Sequence, residues 1–128
     1  MANTQLGDSQ KVAYRYALND KDSNFVALKT GQSISVVSSD TASASIVADA
    51  TPTIHLPGDP TDGQPDASAN ATGFILGGAK LQVGVNITFS ALDADGTTKL
   101  VPDVVDALDI VVGAAVTAAV SLGTPIDQ

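Results

Sequence analysis

The sequence contains no cysteine, no tryptophan and no glutamate, and His55 is its only histidine. The absence of Cys excludes disulfides and thiolate nucleophiles, and a single His excludes every metal site that needs two imidazoles. All 14 acidic residues are Asp, a residue that favours turns and caps, whereas Glu favours helix interiors. The composition therefore predicts a chain rich in turns and excludes much of thiol and zinc chemistry.

Positive charge is also scarce, since six basic residues leave a formal net charge of -8. The six cations are scattered singly and form no basic stripe, so we expect no binding to nucleic acid. The longest mostly apolar run, residues 110–122, includes Gly113, Thr117 and Ser121 and is shorter than the roughly 20 residues that span a bilayer. The first residues lack the basic and apolar parts of a signal peptide. We therefore expect neither membrane insertion nor export of the chain.

The length of 128 residues predicts one domain. Residues 1–9 are expected to form an N-terminal arm, and residues 124–128 a C-terminal tail. Residues 57–72 are rich in Pro, Gly and Asp and predict a long surface loop, because such a segment neither pairs as a strand nor forms a helix.

Apolar and polar residues alternate most clearly in residues 80–90, which predicts a half-buried strand. Its apolar positions, all expected on one face, are Leu81, Val83, Val85, Ile87 and Phe89. The same alternation predicts strands around residues 12–18 and 34–36. Shorter candidates are residues 25–28, 45–48, 53–56 and 73–76.

The spacing of apolar residues in 104–122 fits either a helix or strands. Val, Ile and Thr are frequent there and Gly113 interrupts the segment, which favours two strands over residues 106–112 and 115–122. Turn residues separate all these runs, for example at 93–96. Together the pattern predicts an all-β, antiparallel, two-sheet sandwich of about seven to nine strands.

Four segments resemble the bacterial immunoglobulin-like domains of the group 2 type. Residues 34–46 resemble that family's strand, Ser-Ser-Asp turn and following strand. Residues 77–85 resemble its glycine followed by an alternating strand, and Asp93-Ala94-Asp95-Gly96 with the Val/Ile strand at 108–112 complete the resemblance. It covers about residues 10–123 and implies an immunoglobulin-like sandwich.

The chain is also similar to small stand-alone immunoglobulin-like proteins of tailed bacteriophages, in its start at residues 6–12 and its end at residues 122–128. Such domains occur on the particle surface, as capsid decoration or as parts of tail proteins. The resemblance therefore implies a non-enzymatic virion protein, made in the host cytoplasm, that binds the major capsid protein or another virion protein. The resemblance is also compatible with contacts between copies of the chain on the particle.

Residues that could carry chemistry are few, and a structural role is favoured for each. Residues 20–24 begin like a calcium loop, but Phe25 and Gly31 occupy the places where that loop needs a glycine and an acid. Asp93 and Asp95 could bind a cation, but a hairpin turn is favoured. His55 lacks the sequence context of a hydrolase base. We therefore expect no enzymatic activity, no metal and no cofactor.

Phe74, Ile75 and Leu76 are three consecutive apolar residues, so one side of their strand presents an apolar surface away from the core. We predict this surface as a partner interface, with a strand covered on both faces as the alternative. Two other functions stay open: an adhesion module that binds carbohydrate or a host surface through residues 57–72, and a calcium-stabilised domain or metal enzyme. The latter would use Asp93, Asp95 and a distant acid such as Asp103, Asp106 or Asp109.

Overall fold

The computed structural model describes residues 3–113 and 124–127. They contain seven strands and no helix, which confirms the all-β prediction for this part of the chain. Accordingly, nothing in these ranges is a helix capable of crossing a membrane. The strands are β1 (Thr4–Gly7), β2 (Lys11–Tyr16), β3 (Ser33–Ser38), β4 (Ala44–Ala48), β5 (Ala71–Gly77), β6 (Gln82–Leu92) and β7 (Val104–Val111).

The strands form two sheets, one of four strands in the order β1-β7-β6-β3 and one of three in the order β2-β5-β4. Every pairing is antiparallel except that of β1 with β7, which is parallel. The inward side chains of both sheets share one core, in which the ring centroid of Tyr14 from β2 lies 5.6 Å from that of Phe89 from β6. The two sheets therefore pack face to face as a sandwich.

The alternation predicted in β2 is confirmed, since Tyr14, Tyr16 and the following Leu18 are buried while Lys11 and Arg15 are exposed. The first half of β6 differs from its prediction. Val85, Ile87 and Phe89 are core residues, but Leu81 and Val83 are exposed.

A β-bulge explains this difference. Gln82 faces Ile110 and Val85 faces Leu108, so β6 has one more residue than β7 between these two pairs. Gly84 takes a φ of 76° at this point, a value that glycine adopts without a steric penalty. The extra residue turns the side chains before it away from the core.

Residues 25–28 and 53–56 are wrong as strands, because they contribute only the isolated bridges Asn19–Phe25 and Thr53–Pro65. The expected N-terminal arm contains β1, which pairs with β7. The strand at 106–112 is confirmed as β7, which removes the helical alternative there. The strand predicted at 115–122 lies outside the described residues.

Candidate functional site

The predicted interface of Phe74, Ile75 and Leu76 lies on β5, the central strand of the three-stranded sheet. Ile75 is buried in the core, whereas Phe74 and Leu76 are half-buried and belong to the outer face of that sheet. Lys11 Nζ lies 4.2 Å from the centroid of the Phe74 ring, and the His55 ring centroid lies 4.3 Å from it. The apolar surface at Phe74 is therefore partly covered by the chain itself.

The segment that covers this face is the connection between β4 and β5, and Asp49 fixes it to the sheet. Asp49 Oδ2 lies 2.6 Å from His55 Nε2 and accepts a 2.7 Å hydrogen bond from Thr72 Oγ1. The Thr72 hydroxyl oxygen in turn accepts a hydrogen bond from the amide of Thr53. The Thr72 hydrogen bond and, after it, the contact with His55 hold the pKa of Asp49 below its usual value.

Arg15 fixes the other end of the same connection. Its Nε donates to Asp66 Oδ2 at 2.8 Å, and its Nη2 donates to the carbonyl oxygen of Ser68 at 2.8 Å. The Arg15 hydrogen bond is the main reason why the pKa of Asp66 is lowered. Beside this connection, a groove of about 460 Å³ opens on the outer face, with walls that include Lys11, Asp62 and Phe74.

The arrangement around His55 lacks the geometry of a hydrolase. A catalytic hydroxyl must hydrogen-bond to the imidazole that removes its proton. Here the Thr72 hydroxyl donates to Asp49, and the imidazole contacts the same carboxylate oxygen. His55 and Thr72 therefore act together as anchors for a loop.

The aspartates that could bind a cation are engaged within their own turns. Asp95 accepts hydrogen bonds from the amides of Thr97 and Thr98, and Asp93 accepts one from the amide of Ala94. Asp20 accepts two in the same way, from the amides of Asp22 and Asn24. Within residues 3–113 and 124–127, no three His, Cys, Asp or Glu side chains are placed together as a metal site.

These hydrogen bonds predict a stability that falls in acid. The Thr98 hydroxyl, followed by the amides of Thr98 and Thr97, lowers the pKa of Asp95 to about 2. The pKa values of Asp40, Asp49 and Asp66 are also lowered, chiefly by hydrogen bonds from Lys80, Thr72 and Arg15 respectively. A carboxylate whose pKa is lower in the folded state stabilises the fold above its unfolded pKa, and this contribution is lost as the pH falls through the folded value.

We therefore expect the urea concentration at the midpoint of unfolding to decrease as the pH is lowered from about 4 to about 2. These limits are the ordinary and the lowered pKa of Asp95. Asp95→Asn should show a smaller fall over this interval, because its side chain does not titrate. An equal midpoint at both ends of the interval would contradict the expectation.

Tyr14 is a residue that the sequence pattern assigned only to the core, and its hydroxyl is unusual. Tyr14 is 7% exposed as a residue, and within the described chain its Oη is a buried atom with no hydrogen-bond partner. Tyr14 lies directly opposite Gly73 on β5, where an added Cβ would be 2.6 Å from Tyr14 Oη. The ring of Tyr14 therefore lies over Gly73.

Replacing this hydroxyl should stabilise the protein. A buried polar group without a partner carries a desolvation cost that no hydrogen bond offsets. We expect Tyr14→Phe to raise the free energy of unfolding by about 1 kcal/mol. Tyr16→Phe is the matched control, because Tyr16 stacks on the same Phe89 ring but its hydroxyl is not a buried unpaired atom. Destabilisation by Tyr14→Phe in urea titrations would show that the hydroxyl has a partner.

The outer face of the four-stranded sheet carries a row of uncharged residues that the sequence analysis did not single out. Val37, Thr88 and Val105 are neighbours in register across β3, β6 and β7. Val37 is 56% exposed and Val105 is 54% exposed. Neither β3 nor β6 contains a charged residue, although the whole chain has a net charge of -8. We call Val37, Thr88 and Val105 the neutral face.

Comparison with protein-family models, with curated proteins and with solved structures gives no match for this chain.

Proposed function

We propose that the chain is an immunoglobulin-like domain that binds the outside of a tailed-phage capsid as a non-enzymatic decoration protein. The sequence resemblance supports this, and so does the order of the strands. If β2, β5 and β4 correspond to strands B, E and D, then β3, β6 and β7 correspond to C, F and G. The neighbours B-E-D and C-F-G are those of an immunoglobulin constant-type sandwich, whereas β1 pairs with β7 and not with β2.

The neutral face is the observation that carries the binding role. The centres of protein interfaces are depleted in charged residues and enriched in apolar contact. Two valines that are more than half exposed lie on either side of Thr88 on the outer face of the sheet, and they present such a surface on a strongly acidic chain. The proposed partner is the major capsid protein or another protein of the particle.

Decoration of this kind stabilises a shell by mass action. A protein that binds the assembled lattice but not the free subunits shifts the equilibrium towards the assembled state. The acidic charge on the rest of the chain also opposes adhesion to released nucleic acid and clumping of particles. No bond-making chemistry is needed for either effect.

The test uses particles of the phage that encodes the chain, produced without it, to which purified protein is added. Wild-type protein should co-sediment with these particles and raise the temperature at which they release their genome. Val105→Glu places a charge in the neutral face at an exposed position and should abolish both effects. Val47→Glu is the matched control, because Val47 is half-exposed on the outer face of the other sheet.

Absence of binding by the wild-type protein would overturn the decoration role. Equal binding by wild type and Val105→Glu would exclude the neutral face as the contact. Loss of binding with Val47→Glu alone would assign the contact to the opposite sheet, next to Phe74.

A second function, adhesion to carbohydrate or a host surface, is favoured by the groove beside Phe74. An aromatic ring with a cation and a carboxylate nearby, Lys11 and Asp62, provides the mixed apolar and polar lining of a ligand site. Replacing residues 57–63 by two glycines should then abolish binding on a glycan array. Array binding that survives this replacement, or no array binding by the wild type, would contradict adhesion through this groove.

A further inference from the structure

β2 is an edge strand with one free side. It pairs with β5 on the other side, and within the described ranges no strand pairs with its free side. In an immunoglobulin constant-type sandwich, strand A lies beside strand B, the strand to which β2 would correspond. Here β1 pairs with β7 instead. In residues 3–113 and 124–127, the edge that strand A would cover is therefore open.

A cleft of about 360 Å³ runs between this edge of β2 and the part of β7 that β1 does not reach. β1 pairs with β7 only from Leu108 onward, and Val104 and Asp106 line the cleft before that point. The cleft also reaches the buried residues Tyr16 and Phe89. An apolar side chain placed in the cleft would therefore contact the shared core.

The backbone of β2 borders the cleft. Ala13 and Arg15 line it, although their side chains belong to the outer face of the sheet, where Arg15 bonds to Asp66. The carbonyl oxygen of Gln10 accepts a hydrogen bond from the amide of Gly77 on the β5 side. Hydrogen-bonded and non-hydrogen-bonded pairs alternate along an antiparallel ladder, so the odd-numbered residues of β2 point away from β5. The amides of Ala13 and Arg15 therefore face the free edge.

The rim of the cleft carries negative charge. Asp106 is exposed, and none of the ion pairs among the described residues includes it. Burial and, after it, the charge of Asp103 raise the pKa of Tyr16, which places a second carboxylate near this end of the cleft. Complementary charge favours a cationic partner over an acidic one.

We propose that β2 receives an extended segment of a partner protein as an additional strand, with apolar side chains in the cleft and a lysine or arginine next to Asp106. Strand addition takes its affinity from main-chain hydrogen bonds and its specificity from pockets for alternate side chains. Residues 12–16 of β2 border the cleft, a length of about 16 Å that five or six extended residues span. This contact is separate from the neutral face and does not depend on the capsid or adhesion roles.

The test measures amide hydrogen exchange by NMR of the isotope-labelled full chain during a peptide titration. The probe is the hexapeptide acetyl-Thr-Val-Thr-Val-Thr-Lys-amide, whose valines and lysine lie on one face of an extended chain. The free protein should exchange the Ala13 and Arg15 amides rapidly, and saturating peptide should slow both at least about tenfold. The acidic counterpart, with Glu in place of Lys, should bind about fivefold more weakly.

Variants separate the backbone contact from the charge. Ala13→Pro removes an amide that the added strand needs but no bond to β5, and edge strands tolerate proline at such a position. It should abolish peptide binding, and its own spectrum shows whether the fold is retained. Asp106→Asn should remove the preference for the basic peptide. Asp22→Asn is the matched control, because Asp22 is exposed in a turn and does not line the cleft.

Four results would overturn the proposal. Slow exchange of the Ala13 and Arg15 amides in the free protein would show that the chain itself already covers this edge. Absence of saturable binding up to the solubility limit of the basic peptide would exclude the added strand. Undiminished binding by folded Ala13→Pro would place the peptide elsewhere, and equal affinity of the wild type for both peptides would exclude selection by charge.

Discussion

Val85→Asp is expected to prevent folding. Val85 is 0% exposed, lies near the middle of the longest strand, and belongs to the core that both sheets share. A carboxylate at this position would have no cation or hydrogen-bond donor from the apolar residues around it. Burial of an unpaired charge costs several kcal/mol, which is comparable with the whole stability of about 5–15 kcal/mol for an ordinary domain.

Val83→Asp is the matched control for this change. Val83 belongs to the same strand and has the same side chain, but it is 77% exposed because the bulge at Gly84 turns it outward. We expect Val83→Asp to unfold at nearly the same urea concentration as the wild type. Its free energy of unfolding should differ from that of the wild type by at most about 0.5 kcal/mol. Circular dichroism and urea titration of both variants provide the measurement. Similar destabilisation by the two substitutions would contradict the bulge.

The strands of strongest alternation could be predicted from the sequence. A half-buried strand alternates apolar and polar residues whichever strand it pairs with. This holds for β2 and for the second half of β6. The bulge was missed because Leu81 and Val83 continue the alternation through it. Gly84 is the signal that could have revealed it, since an isolated glycine within a strand pattern indicates a bulge.

Elements that depend on distant partners could not be predicted. In β1, Thr4–Gly7, Leu6 is the one large apolar residue, and its pairing partner is Ile110, more than a hundred residues later. Nothing local in such a segment distinguishes a strand from an arm. Conversely, residues 25–28 and 53–56 are apolar enough for strands but form only isolated bridges.

The candidate sites likewise combine features visible in the local sequence with features that depend on distant parts of the chain. The apolar run at Phe74 was visible in the sequence, but its coverage by Lys11 and His55 depends on how the β4–β5 connection folds back. The neutral face could not be predicted without the register of three strands, which places Thr88 between Val37 and Val105. For Tyr14, Gly73 was the available clue, because glycine inside a strand often marks a close approach.

After Val85→Asp, Gly73→Ala should have the largest effect on stability, a loss of about 2 to 3 kcal/mol in the free energy of unfolding. A Cβ at this position would be 2.6 Å from Tyr14 Oη and 2.7 Å from Cε2 of the same ring, and it would also meet the backbone oxygen of Val47. The strand partners on both sides hold Gly73 in place, so the chain has little room to shift.

Two comparisons separate the clash with the Tyr14 ring from the other costs of Gly73→Ala. Gly58→Ala has open space around the added Cβ but a φ of 87°, so its cost of about 1 kcal/mol is conformational only. Gly73→Ala should cost more than this. In a Tyr14→Leu background the cost of Gly73→Ala should fall by about 1 kcal/mol, because the ring that it displaces is gone, while the clash with Val47 remains. An unchanged cost in that background would mean that Tyr14 does not lie over Gly73, contrary to the close approach seen in the structure.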